Sequence, residues 1–150
     1  MLIETILSPG RTLCGVPGSS KKRVLENIAG CISEDINTID ADQLFNSLLA
    51  REKLGSTGLG NGIAIPHCRM KDCTKIIGGL VKLQEPIDFD AIDGEPVDLI
   101  FVLLVPEEAH DEHLQVLASI VQMFSDKDFC QQLRDAEDNN TLYQLAIRKS

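Results

Sequence analysis

The residues most capable of chemistry gather in one stretch of the chain, from Arg51 to His67. Four glycines, Gly55, Gly58, Gly60 and Gly62, fall within eight residues there. Glycine frees the backbone to take positive φ and to approach a ligand closely. Successive backbone N–H groups in such a loop can cradle an anion. Ser56 and Thr57 add hydroxyl donors, and Asn61 stands between the last two glycines. A short apolar run, Ile63 to Ile65, follows, and then Pro66, whose nitrogen cannot join a strand ladder. His67 therefore stands where an extended segment stops. The group reads as an oxyanion nest with a histidine at its rim and cations, Arg51 and Lys53, beside it.

Two better-known glycine loops are excluded. A Walker A loop ends in Gly-Lys-Ser/Thr, whereas Gly62 is followed by Ile63. A dinucleotide fingerprint needs a strand before it and a helix after it, and neither pattern flanks Gly58-Leu59-Gly60. Glycine clusters by themselves are usually ordinary loops.

The whole string is more specific than its glycines. It closely resembles the active-site segment of the enzyme IIA proteins of the bacterial phosphotransferase system, of the mannitol/fructose class and most closely of the nitrogen-regulatory branch. The similarity runs from about Leu7 to Leu145. It includes Ala91 to Leu99, with Asp93-Gly94-Glu95-Pro96-Val97 inside it, and the run ending Leu103-Leu104-Val105-Pro106. The resemblance implies that His67 accepts a phosphoryl group on its tele nitrogen from a histidine-phosphorylated, HPr-like carrier protein. It implies that Arg51 is the active-site arginine. It also implies that His113, in the setting His113-Leu114-Gln115-Val116-Leu117, is the second active-site histidine.

Phosphoryl transfer requires a nucleophile, an in-line path and stabilisation of three equatorial oxygens. Neutral imidazole serves without a separate base, because its unperturbed pKa is about 6.5. In this reading Arg51, the hydroxyls of Ser56 and Thr57 and the backbone of Gly58, Gly60, Asn61 and Gly62 hold the oxygens. His113 donates a hydrogen bond to one of them or orients the His67 ring. The expected output is regulation: phosphorylated and unphosphorylated forms bind different protein targets, such as kinases, transporters or sensors. A stand-alone relay to a sugar-specific IIB, and an interaction module with a vestigial site, are the alternatives.

Each residue also has a plainer reading. Arg51 falls at the end of a helix pattern and can serve the last helical carbonyls. His110 and His113 share one helical face, and His-x-x-His is a frequent surface accident. A zinc site would need further ligands, and no zinc motif is present. Cys68 is either a small filler or an oxidation-sensitive thiol beside His67.

Composition narrows the function classes. A net charge of -9 and a pI near 4.7 argue against nucleic acid and against anionic membrane surfaces. No apolar stretch reaches the roughly 20 residues of a membrane span, so membrane insertion is not expected. The five cysteines are odd in number and contain no C-x-x-C pair, which suits reduced thiols in a cytoplasm. No metal or organic cofactor is implied.

The positioning elements can be read from pattern. The expectation is one domain over residues 1–150: an α/β fold with a mixed β-sheet flanked by helices on both faces, as the resemblance also implies. A strand is expected at 11–16, then a helix from Lys21 to about Cys31, capped by Ser19 or Ser20, with Lys21, Lys22 and Arg23 on a solvated face. A second helix, capped by Asp40 with Gln43 three residues on, runs to about Arg51. A strand at 75–83 carries a glycine pair, Glu85-Pro86 turns the chain, and Val97 to Val105 forms a central strand covered on both faces. A helix from about Ala109 to Phe124 should bury Leu114, Leu117, Val121 and Phe124. Two further helices are expected, started by Ser125 or Asp128 and by Asn140.

Overall fold

The apolar run at 97–105 becomes β6 (Val97–Pro106), the strand on which the sheet is built. The computed structural model describes residues 3–109 and 111–149. Before β6 come β1 (Thr12–Val16), α1 (Lys21–Asp35), α2 (Ala41–Leu54), β2 (Gly58–Gly60), β3 (Ile63–Ala64), β4 (His67–Met70) and β5 (Ile77–Ile87). After it come α3 (Glu112–Phe124), α4 (Lys127–Asp135) and α5 (Asn139–Lys149). The sheet order is β1-β5-β6-β3-β2, with β4 also paired to β6. β5 runs antiparallel to β6, whereas β1 is parallel to β5, and β3 and β4 are parallel to β6. This is the mixed α/β sheet that the sequence predicts.

Period-2 alternation sorts β6 between two layers. Ile100, Val102 and Leu104 join Val24, Leu25, Ile28, Leu44 and Leu48 of α1 and α2 on one face. Leu99, Phe101, Leu103 and Val105 join Ile120, Phe124, Leu133, Leu142 and Ala146 of α3, α4 and α5 on the other. A strand buried on both faces must be apolar at every position, which is why 97–105 is nearly unbroken hydrophobe.

β3 and β4 behave as one strand interrupted at Pro66. Ile63 pairs with Leu99 and Ala64 with Ile100, then His67 pairs with Leu103, so the register is unchanged across the break. The alternation continues through it. Ala64, Cys68 and Met70 face α1 and α2, and Ile63 and Ile65 face α3 to α5. His67 and Arg69 fall on that second face by the same alternation.

Several boundaries differ from expectation for local reasons. α1 continues past Gly30 to Asp35, because Gly30 has open space around it and Ile32 adds a buried contact. Lys21 is not solvated: its amine pairs with buried Glu52. Glu85-Pro86 stays within β5, in a segment of shifted register between Lys82 and Ile87 where a missing N–H is tolerated. α3 buries Ile120, Met123 and Phe124 and packs Val116 and Leu117 partly against the same core, but leaves Leu114 and Val121 exposed. Ser20 and Asp40 cap α1 and α2 as predicted, whereas Asp126 caps α4 and Asp138 accepts the Thr141 N–H at the start of α5.

Candidate functional site

The glycine stretch folds into a hairpin. β2 and β3 pair antiparallel around Asn61 and Gly62, whose φ values of 57° and 81° are those a tight primed turn requires. The hairpin is fastened at its tip. The Arg134 guanidinium donates to the Asn61 carbonyl at 2.8 Å and forks onto Asp98, and the Asn61 N–H donates to Asp93 at 3.0 Å. Backbone N–H donors from Asn61 and Glu95 hold the Asp93 carboxyl below its ordinary pKa.

The loop before the hairpin is fastened equally. The Ser56 hydroxyl donates to the Phe89 carbonyl at 2.7 Å and accepts the Gly58 N–H at 3.0 Å. The Thr57 hydroxyl donates to Glu52, which also accepts the Thr57 N–H at 3.2 Å. The hydroxyls and several N–H groups expected to form an open anion cradle thus already have protein acceptors. The glycines admit the close approaches this demands: a Cβ on Gly58 would lie 2.8 Å from the Ala91 side chain.

His67 opens β4 directly after the break at Pro66. The Ile65 N–H donates to the Thr57 carbonyl at 3.0 Å, and the Ile65 carbonyl lies 2.9 Å from Nδ1 of His67. A carbonyl only accepts, so Nδ1 carries the proton and the Nε2 lone pair is left over. His67 is half-buried. In that tautomer its Nε2 keeps a lone pair.

His113 lies in the first turn of α3 and meets the site through Arg69. Nη2 of Arg69 is 3.2 Å from Nε2 of His113, and Nη1 donates to the carbonyls of Glu107 and Ala109 at 3.2 and 2.6 Å. Among the described residues, Nδ1 of His113 is buried and has no hydrogen-bond partner. Arg51 lies in the last turn of α2, and its Nη1 donates to the Gly55 carbonyl at 2.9 Å. His110 lies outside the described residues.

Cys68 points to the face opposite His67, into the layer of α1 and α2. Burial, and then neighbouring Cys73, push its thiol up to about 12. Burial and the raised value both favour the protonated thiol, which counts against the oxidation-sensitive reading and favours a small filler. Among the described residues, no group of three or more His, Cys, Asp or Glu side chains is placed to hold a metal ion. No helix among them is long and apolar enough to cross a membrane.

Two site residues escape sequence reading. Arg69 had a signal, since it is two positions from His67 on a strand and must share its face. Glu52 also had one, lying four residues past Leu48 on the buried stripe of α2.

The chain is 53% identical over 145 residues to a Nitrogen regulatory protein of Pseudomonas aeruginosa, covering 97% of this chain and 94% of that one. Its structure is similar to that of the Nitrogen Regulatory Protein IIA-Ntr from Neisseria meningitidis, with a TM-score of 0.87 and 39% identity over 95% of this chain and 97% of that one. IIA mannitol from Escherichia coli shares the fold, with a TM-score of 0.72 at 21% identity over 87% and 92% of the two chains. Residues 5–149 match the family described as Phosphoenolpyruvate-dependent sugar phosphotransferase system, EIIA 2, and the chain belongs to that family.

Proposed function

We propose that His67 takes a phosphoryl group on Nε2 from a phosphorylated HPr-like protein in the cytoplasm, and that its phosphorylation state regulates contacts with other proteins. The observation that carries this reading is the His67–Ile65 hydrogen bond. The bond holds the proton on Nδ1 and presents the Nε2 lone pair. In the transfer, the N–P bond of the donor breaks, its electron pair stays with the donor imidazole, and Nε2 of His67 forms the new N–P bond. The His67 ring keeps its Nδ1 proton and becomes cationic. Its hydrogen bond to the Ile65 carbonyl becomes charge-assisted, so it is stronger in the product than in the free enzyme.

The transferred group is anionic and needs positive partners. The His113 Nδ1–H is a buried donor without a partner among the described residues. Leaving such a donor unsatisfied costs about 1–3 kcal/mol, which a phosphoryl oxygen would recover. Arg69 adds a guanidinium beside it, and Arg51 adds another at the end of α2. The loop of Ser56, Thr57, Gly58, Gly60, Asn61 and Gly62 acts chiefly by holding His67 in place, because the Ser56 and Thr57 hydroxyls and the N–H groups of Thr57, Gly58 and Asn61 are engaged within the protein. The regulatory reading is supported by similarity to proteins named nitrogen regulatory protein. A phosphoryl dianion placed at one rim creates or blocks a protein contact.

The test is phosphoryl transfer from phosphoenolpyruvate through enzyme I and the HPr-like carrier, followed by intact mass. One acid-labile phosphoryl adduct, absent in His67→Ala, is the expected result. An unmodified wild-type protein in the presence of active carrier overturns the reading and leaves an interaction module.

A further inference from the structure

Glu52 is a buried charge that the phosphoryl chemistry does not use. Its side chain is only 2% exposed, on a helix stripe otherwise made of leucines. Burying a carboxylate is costly unless it is paired and hydrogen-bonded, and a well-packed apolar residue is often the more stable choice. Here the charge is fully met. Lys21 Nζ lies 2.8 Å from Oε1, the Thr57 N–H donates to the same oxygen at 3.2 Å, and the Thr57 hydroxyl donates to Oε2. Lys21 in turn faces Asp90 at 3.6 Å and stands over the Phe89 ring. What a carboxylate adds to a packing residue is direction.

The direction leads to His67. Thr57 is held by its N–H and hydroxyl on Glu52, and its carbonyl accepts the Ile65 N–H at 3.0 Å. Ile65 is 1% exposed, and its carbonyl faces Nδ1 of His67 at 2.9 Å. Thr57 and Ile65 are each fastened at both N–H and C=O, so position passes from one residue to the next. We propose that Glu52 is a positioning residue for His67: it fixes Thr57, Thr57 fixes Ile65, and the Ile65 carbonyl keeps the imidazole in its Nδ1–H form with Nε2 free. The consequence for phosphoryl transfer rests on the reading of His67 as acceptor. The tautomer does not.

The experiment reads the tautomer directly. Ring-nitrogen correlation NMR of His67 in the uniformly labelled full chain, well above the histidine pKa, is recorded for wild type, Glu52→Gln, Thr57→Val and Thr57→Ser. Melting temperatures are taken in parallel. A glutamine offers one oxygen where two are used, and valine removes the hydroxyl. The expected result is one Nδ1–H form in wild type, with the Nε2–H form rising at least fivefold in Glu52→Gln and Thr57→Val. Thr57→Ser returns the ratio toward wild type, and transfer falls about tenfold in the first two variants. A wild-type tautomer ratio in folded Glu52→Gln and Thr57→Val overturns the proposal. If Glu52→Gln does not fold, Thr57→Val against Thr57→Ser decides by the same ratio. Absence of transfer in wild type overturns the acceptor reading alone, since the ratio is measured without any partner.

Discussion

Nη2 of Arg69 lies 3.2 Å from Nε2 of His113. A guanidinium only donates, so Nε2 of His113 accepts and its proton sits on Nδ1. His67 and His113 thus hold the same tautomer for different reasons: His67 because Nδ1 meets a carbonyl, and His113 because Nε2 meets a donor. One presents a lone pair and the other keeps a buried N–H.

Arg69→Met breaks this relationship while keeping the length and apolar stem of the side chain. The Glu107 and Ala109 carbonyls lose their donor at the same time. Phosphoryl incorporation is expected to slow about tenfold or more, in line with loss of an electrostatic stabiliser. Amide exchange at 107–109 should quicken. An unchanged single-turnover rate would remove Arg69 from the site.

His113→Ala deletes a donor but not the nucleophile. The rate of phosphoryl incorporation should fall about 100-fold, with the full adduct still reached at long times. His67→Ala should take up nothing at any time. Equal and complete loss in both variants would show that His113 is indispensable to transfer and not a helper.

Cys68 makes stability depend on alkaline pH. Its folded pKa is raised from 9.0 to about 12, chiefly by burial. The raised value favours the protonated thiol in the folded state. Its contribution is therefore complete below pH 9 and is lost as pH rises from 9 toward 12, at up to roughly 1.4 kcal/mol per pH unit. Urea midpoints across that range should fall less steeply in Cys68→Ala. In native protein near pH 8, iodoacetamide should leave Cys68 unlabelled until the chain is unfolded.

Gly78→Ala tests the packing of the sheet's second face. A Cβ at Gly78 would meet Cζ of Phe101 at 2.8 Å and Cε1 at 3.0 Å. Phe101 is fully buried and touches Phe124 at 5.8 Å between ring centroids, so it has little room to yield. Overpacking of this kind costs about 1–3 kcal/mol and outweighs the small entropic gain of replacing glycine. A melting temperature several degrees lower is expected, and no change would mean that the ring repacks freely.

The elements that follow from local patterns were readable in the chain. Ser20 and Asp40 announce their helices because capping is a contact over three residues. The run at 97–105 announces a doubly covered strand because burial on both faces leaves no polar positions. Elements that depend on distant partners were read less well. Asn61-Gly62 is a strong hairpin signal, yet among so many glycines it also fits an anion nest. Strand pairing makes it a hairpin, and the acceptors on Asp93, Glu52 and Phe89 engage several of its donors. Leu114 and Val121 fit an apolar stripe, but the stripe is buried only where α3 overlies the sheet.

By itself the sequence determined the layered α/β class, the place of His67 after a strand-breaking proline and the acidic surface, since these depend on residue type and near neighbours. Only the tertiary structure decided what Nδ1 of His67 bonds to, that Arg69 links β4 to His113, and that Glu52 lies buried under the glycine loop. The physical reason is separation along the chain. The Arg69–His113 contact spans 44 residues, and Lys21 meets Glu52 only when α1 packs on α2. A hydrogen bond over such a distance is set by how the layers stack around β6, which no window of sequence contains.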